Sequence, residues 1–105
     1  MNDPFLAALG ICRRAGKLSF GFETVKYAMQ IGQAQVVFCA ADLSPKTAKE
    51  LRFLCSQLEC ELIETAYDMQ TLGSAIGKKT GIVAVTDEGL AKMVKNKFVN
   101  HREGI

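Results

Sequence analysis

The chain has 105 residues, 49% of them apolar, with 13 Lys and Arg against 11 Asp and Glu. That length suits one domain, residues 1–105, around one core, and a formal charge of +2 excludes a strongly basic, tail-like binder while allowing a local basic face. No apolar run approaches the ~20 residues of a membrane-spanning helix. The opening MNDPFLAALGICRR is too acidic and punctuated for a secretory leader, so the expectation is a cytoplasmic protein with no membrane partner.

In chain order, Asn2, Asp3 and Pro4 form a helix start, a capping side chain followed by Pro at the first helical position. Phe5, Leu9 and Cys12 recur at helical spacing, Leu6 and Ile11 widen the face, and Gly16 ends the helix. Arg13 and Arg14 close it, with Lys17 just beyond, where cations favour the helix dipole. Leu18 to Phe20 has room only for a short strand. A second helix follows, with Val25, Ala28, Met29 and Ile31 inward and Gly32 as its stop. Ala34 to Ala41 is an apolar run without alternation, the pattern of a strand covered on both faces.

Ser44 caps a third helix with Pro45 first inside; Ala48, Leu51, Leu54, Cys55 and Leu58 make its buried stripe, and Lys46, Lys49 and Glu50 its solvated face. Cys60 to Thr65 alternates and reads as a less buried strand. Asp68 and Gly77 bracket a short helix whose Gly73, Ser74 and Ala75 permit close packing, and Gly81 to Thr86 is the second strongly apolar strand. Thr86 or Asp87 caps a last helix with Leu90, Met93 or Val94, and Phe98 inward, and residues 99–105 are expected to be a flexible tail. Helices alternating with strands imply an α/β layered domain with helices on both faces of a small sheet.

Little in the chain supports catalysis or metal binding. Cys12, Cys39, Cys55 and Cys60 lack C-x-x-C spacing and the sole His, His101, lies near the C-terminus, so neither a zinc site nor a thiol–imidazole pair is expected. Cys12, Cys39 and Cys55 sit in apolar runs and read as reduced core thiols. Glu59, Glu61, Glu64 and Asp68 cluster about a strand edge and a cap, as solvated acids do. "GSAIGKKTG" follows a helix rather than a strand, and its spacing is not that of a phosphate-binding loop. The expectation is no enzyme, no cofactor and no metal.

The start of the second helix is the most informative stretch. Glu23 and Lys26 stand one turn apart behind Gly21, which Phe20 and Phe22 flank. The plain reading is a Glu favoured by the helix dipole and an i,i+3 pair adding ~0.2–0.5 kcal/mol. The alternative is a ligand surface. Helix-start N–H groups attract phosphate, a carboxylate there accepts from guanine N1 and N2, Lys reaches phosphate or guanine O6, and Gly lets a backbone approach.

Several segments together resemble one family: "LGICRRAGKLSFG", "ETVKYAMQIGQAQVVFCAADLSPKT", "LCSQLE", "LGSAIGK" and "GIVAVTDEGLAK". They are similar to the kink-turn RNA-binding ribosomal proteins of the L-seven-Ae and L-thirty-e superfamily, in particular its bacterial YlxQ-like branch, from about Leu9 to Val94. The resemblance implies a three-layer α-β-α sandwich with a small mixed four-stranded sheet. It also implies an RNA-binding surface made by the helix start at Gly21, Phe22, Glu23 and Lys26 and by the loop Lys78, Lys79, Thr80, Gly81 and Ile82. In the family the helix start docks beside tandem sheared G·A pairs and the loop covers an extruded nucleotide.

The family motif reads Gly-x-Asn-Glu-x-x-Lys, whereas Phe22 here stands in the Asn position and Gly21 is one place late. A Phe makes no base-edge hydrogen bonds but can stack on a base or sugar. Arg13, Arg14 and Lys17 are expected to join Lys26, Lys78 and Lys79 as a phosphate-tracking rim, away from the Glu59–Asp68 acids, with Ile82 and Phe22 packing on exposed bases. The expected function is a monomeric, non-enzymatic binder of a kink-turn-like or bulged RNA, associated with the ribosome or another structured RNA. The rival readings are a protein-interaction adaptor using Phe20 and Phe22, and an RNA-presenting accessory of an RNA-modifying enzyme.

Overall fold

A computed structural model describes the backbone of residues 3–103 and the side chains of residues 3–98. In chain order the elements are α1 (Pro4–Arg14), β1 (Leu18–Phe20), α2 (Phe22–Gln30), β2 (Val36–Cys39), α3 (Pro45–Gln57), β3 (Leu62–Glu64), α4 (Met69–Ile76), β4 (Ile82–Val85) and α5 (Glu88–Glu103). The four strands form one mixed sheet in the order β1-β4-β2-β3, with β2 parallel to β3 and the other pairs antiparallel. The two strands without alternation, β2 and β4, are its centre and are buried along their whole length.

Their alternate residues divide the core in two. Val36 and Phe38 of β2, with Val83 and Val85 of β4, pack against α1, α4 and α5. Val37 and Cys39, with Ile82 and Ala84, pack against α2 and α3. This is the three-layer α-β-α arrangement, and it explains the apolar runs: a strand covered on both faces needs an apolar side chain at every position. Phe5 anchors the first layer, with its ring centroid 5.0 Å from that of Phe38 and 5.1 Å from that of Phe98.

Asp3 caps α1 through Leu6 N–H (3.1 Å), Ser44 caps α3 through Thr47 N–H (3.2 Å), Asp68 caps α4 through Thr71 N–H (2.7 Å) and Asp87 receives Leu90 N–H (2.8 Å) at the start of α5. Asn2, also expected in the first cap, lies outside the described residues. Cys12, Cys39 and Cys55 are buried, reduced thiols. Burial pushes the Cys39 thiol up to about 11, with Glu64 adding to the effect, so it stays protonated and inert at neutral pH.

Two expectations are corrected. Ile31 and Leu58 are 46% and 40% exposed, because each is the C-cap residue of its helix, where the chain is already turning away from the sheet. The last helix, α5, extends to Glu103; residues 104 and 105 lie outside the described residues. No helix is long and apolar enough to cross a membrane among the described residues.

Candidate nucleic-acid interface

One end of the sheet gathers four connections. Gly21 ends β1 and donates its N–H to Ile82 O (3.0 Å), so the start of α2 is tied to the start of β4. Ala40, leaving β2, donates to Gly81 O (2.8 Å), and Ala41 donates to Tyr67 O (2.8 Å) in the turn after β3. Asp42 Oδ1 accepts the Met69 N–H at 2.8 Å. The α2 start and the loop between α4 and β4 are therefore neighbours through a direct hydrogen bond.

Gly21 has φ 89° and ψ 149°, a backbone region open essentially to glycine. It lets the chain leave the strand and enter α2 at once, without a capping side chain. Among the described residues, α1, α3, α4 and α5 each have a side-chain cap and α2 has none. Its first N–H groups therefore have no side-chain cap at the positive end of its dipole, the arrangement that suits an anion.

Glu23 is exposed and Lys26 half-exposed on the first turns of α2. The ion pairs among the described residues are Arg52–Glu64 and Lys95–Glu61, so Glu23 and Lys26 are not locked to each other. That removes the helix-stabilising pair from the plain reading of these two residues and leaves the carboxylate and the ammonium free for a ligand. Phe22 is half-buried against the α2–α3 layer of the core, with the rest of its ring at the surface. Phe20 is not an open aromatic anchor: it packs on the opposite core layer, and the Arg13 guanidinium lies 4.6 Å from its ring centroid.

Lys78 and Lys79 are exposed, whereas Thr80, Gly81 and Ile82 are buried. Thr80 Oγ1 donates to Ile82 O (3.0 Å) and accepts the Ile82 N–H (3.3 Å). Ile82 is 3% exposed inside the α2–α3 core, so its side chain is not a base-packing surface; the sheet register turns it inward, and it serves the loop through its carbonyl. Gly73 of α4 supports the loop from below: a Cβ there would come within 2.7 Å of Lys78 O and 3.0 Å of Thr80 N. Gly81 is similarly tight, since a Cβ there would meet Leu43 Cδ2 and Met69 Cγ, each at 2.7 Å. Lys78 and Lys79 also border an open cleft of about 610 Å³, whose lining includes Gly73, Met69, Asp42 and Gln70.

The expected cationic rim is assembled only in part. Arg13 reaches this region, but its Nη1 donates to Ile76 O (3.1 Å) at the end of α4, so it joins α1 to α4 as well as presenting charge. Arg14 is exposed on the last turn of α1. Lys17 belongs to the other end of β1. Its carbonyl accepts the Thr86 N–H (2.9 Å), and Leu18 pairs with Val85 while Phe20 pairs with Val83. The strand therefore separates Lys17 from Gly21 by roughly 13 Å at ~3.3 Å per residue. Charge near Gly21 in the sequence is not charge near Gly21 in space.

Of the acids expected elsewhere, Glu61 and Glu64 pair with Lys95 and Arg52 at the β3 edge. The Arg52 hydrogen bond holds the Glu64 carboxyl below its usual range. Asp68 instead stands at the α4 start, at the same end as the loops. Asp42 was not singled out from sequence, yet its carboxylate borders the cleft and fixes the β2–α3 loop to α4. The available signal was its place directly after a buried strand, where loop carboxylates face the ends of the sheet.

A three-layer sandwich bearing an uncapped, glycine-entered helix start beside a lysine-bearing loop defines a class of small α-β-α binding proteins. Residues 5–95 match a family model described as the ribosomal protein L7Ae/L30e/S12e/Gadd45 family, and the chain belongs to that family. It is similar to proteins named RNA-binding protein YlxQ. The one from Enterococcus faecium is 31% identical over 83% of this chain and 84% of its own, and that from Bacillus subtilis (strain 168) is 32% identical over 88% of each. A Bacillus halodurans structure of unknown function superposes with TM-score 0.86 at 29% identity, covering 93% of this chain and 99% of that one. A 15.5kD RNA binding protein of Giardia lamblia shares the fold, with TM-score 0.76 at 16% identity over 100% of this chain and 93% of that one.

Proposed function

We propose that this chain is a non-enzymatic cytoplasmic RNA-binding protein. It grips a kink-turn-like or bulged RNA between the start of α2 and the loop before β4, and so associates with the ribosome or another structured RNA. The observation that carries the proposal is the Gly21 N–H to Ile82 O hydrogen bond. It holds the uncapped helix start, the exposed Glu23 carboxylate and the Lys78–Lys79 cations at one end of the sheet. Two YlxQ relatives named as RNA-binding proteins support it.

In this reading the N–H groups of the first α2 turn receive a phosphate. The Glu23 carboxylate accepts from guanine N1–H and N2–H, and Lys26 bonds O6 or an adjacent phosphate. Lys78, Lys79 and Arg14 follow the backbone, and the exposed part of Phe22 stacks on a base or sugar where the family motif has an amide side chain. Thr80, Gly81 and Ile82 act from beneath, as the buried frame of the loop.

The test is a mobility-shift titration of kink-turn, bulged and plain duplex RNA at two salt concentrations, with wild type and Glu23→Ala plus Lys26→Ala. The bent or bulged RNA should bind best, weaken steeply with salt, and lose most of its affinity in the double variant. Equal binding of all three RNAs, or a double variant indistinguishable from wild type, overturns the proposal.

A further inference from the structure

The C-terminal end of α3 holds a pair of thiols in a specific backbone frame. Leu58 is the C-cap. Glu59 follows with φ 53°, a left-handed conformation uncommon outside glycine. Cys60 N–H donates to Cys55 O (2.8 Å), and Glu59 N–H donates to Ser56 O (3.4 Å). These two bonds are the six-to-one and five-to-two pair of a Schellman ending, in which the residue after the left-handed one packs against the residue three places inside the helix. In most helices that contact is between two apolar side chains. Here it is between two cysteines.

The hydrogen bond limits how far apart they can be. About 2.4 Å from Cα to its carbonyl O and about 1.46 Å from N to Cα bound the separation; with the 2.8 Å N···O distance, the two Cα atoms lie within about 6.7 Å of each other. That lies inside the ~4.4–6.8 Å span of disulfides. Cys60 is half-exposed and Cys55 buried, so an oxidant meets Cys60 first. The two neighbouring thiols bias each other, favouring the thiolate at Cys60 and raising Cys55.

We propose that Cys55 and Cys60 form an oxidisable site at which a hydroperoxide produces an intrachain disulfide, latching the last turn of α3 to the chain entering β3. The Cys60 thiolate attacks a peroxide oxygen and the O–O bond breaks. Cys60 becomes the sulfenic acid, and the departing hydroxide or alkoxide takes a proton. The Cys55 sulfur then attacks the Cys60 sulfur and gives up its proton. The S–O bond breaks, and hydroxide leaves with that proton as water. Two thiols lose two electrons in all, and the peroxide gains them. The backbone hydrogen bond already holds the two residues together, and closure takes the two side chains away from Met29 Sδ and Ala34 O, each now 3.7 Å from its respective sulfur.

Hydrogen peroxide on the purified full-length chain tests this, with thiols alkylated under denaturing conditions and mapped by mass spectrometry. The expected product has lost two hydrogens, keeps alkylatable Cys12 and Cys39, and is restored by dithiothreitol. Proteolysis after Glu59 should leave its two fragments joined until reduction. Cys60→Ser should leave Cys55 reduced under the same exposure, and Cys55→Ala should carry Cys60 on to sulfinic acid or to a dimer. The wild type forming sulfinic acid at Cys60, an intermolecular Cys60 dimer, or a Cys39–Cys55 bridge instead overturns the proposal. Wild type and Cys60→Ser suffice if Cys55→Ala fails to fold.

Discussion

Gly73→Ala sets two effects of opposite sign against each other at one position. Alanine in place of a helical glycine favours α4 by ~1 kcal/mol. Its methyl, however, would lie 2.7 Å from Lys78 O and 3.0 Å from both Lys79 Cα and Thr80 N. All three are backbone atoms, so no side-chain rotation relieves the overlap. The loop has to move by about half an ångström, and overpacking of this kind costs ~1–3 kcal/mol. The Gly73 carbonyl also accepts the Lys78 N–H (3.0 Å), so the helix end and the loop cannot shift independently. The expected net is a destabilisation of ~0–2 kcal/mol, with a larger proportional loss of RNA affinity because Lys78 and Lys79 ride on the displaced segment. Gly10→Ala is the control: its nearest neighbours, Ala75 O at 3.2 Å and Arg14 Nη1 at 3.4 Å, are less crowded. Thermal unfolding with RNA titration reads both quantities. A Gly73→Ala protein with wild-type RNA affinity would refute the argument that α4 sets the loop's position.

Phe38→Ala removes a fully buried ring that packs on Phe5 and Phe98 and should cost ~3–5 kcal/mol in urea unfolding, a large share of the stability of a typical domain. Lys79→Ala should lower the slope of log K against log salt by about one phosphate contact, whereas Lys17→Ala, at the far end of β1, should leave it nearly unchanged. The Asp68 carboxyl is lowered by the Thr71 N–H and hydroxyl. A depressed carboxyl contributes fully above its unfolded pKa and loses that contribution as pH falls through the folded value, so the α4 cap should hold at neutral pH and release only in acid. An NMR titration placing Asp68 at or above the ordinary aspartate range would contradict this.

The layers were legible in the sequence because each rests on a local signal. The apolar runs Ala34 to Ala41 and Gly81 to Thr86 read as strands and contain the central β2 and β4, and Asp3, Ser44 and Asp68 marked helix starts through the same capping chemistry that the structure shows. Burial at the last residue of a helix was less legible: Ile31 and Leu58 continue an apolar stripe in sequence, but the helix has ended before either can face the sheet. At the proposed interface, Glu23 and the two loop lysines, singled out from sequence, are exposed in the fold. The sequence could not sort Lys17 from Arg13, because the division depends on strand register, nor foresee that Arg13 spends a donor on Ile76 O and covers Phe20. Asp42 escaped notice because its partner, the Met69 N–H, is far along the chain and identifiable only once β2 and β3 lie parallel.

The placement of the interface follows from how the sheet is wound. A parallel β2–β3 pair requires a crossover helix, and α3 supplies it; the loops leaving β2 and β3 therefore emerge at the same end. β4 runs antiparallel to β2, so the connection that enters β4 arrives at that end too. β1, antiparallel to β4, finishes there as well. Three strand ends and one strand beginning thus converge, and the hydrogen bonds from Gly21 to Ile82 and from Ala40 to Gly81 are consequences of that winding. The exposed side chains at this end, Glu23, Lys78 and Lys79, can change with little effect on the core, whereas Ile82 and Phe22 are part of its packing. Phe22, the first residue of α2, lies at this end as well. Its ring packs against the α2–α3 core, so a change at Phe22 acts on the packing of the helix start as well as on what that start presents.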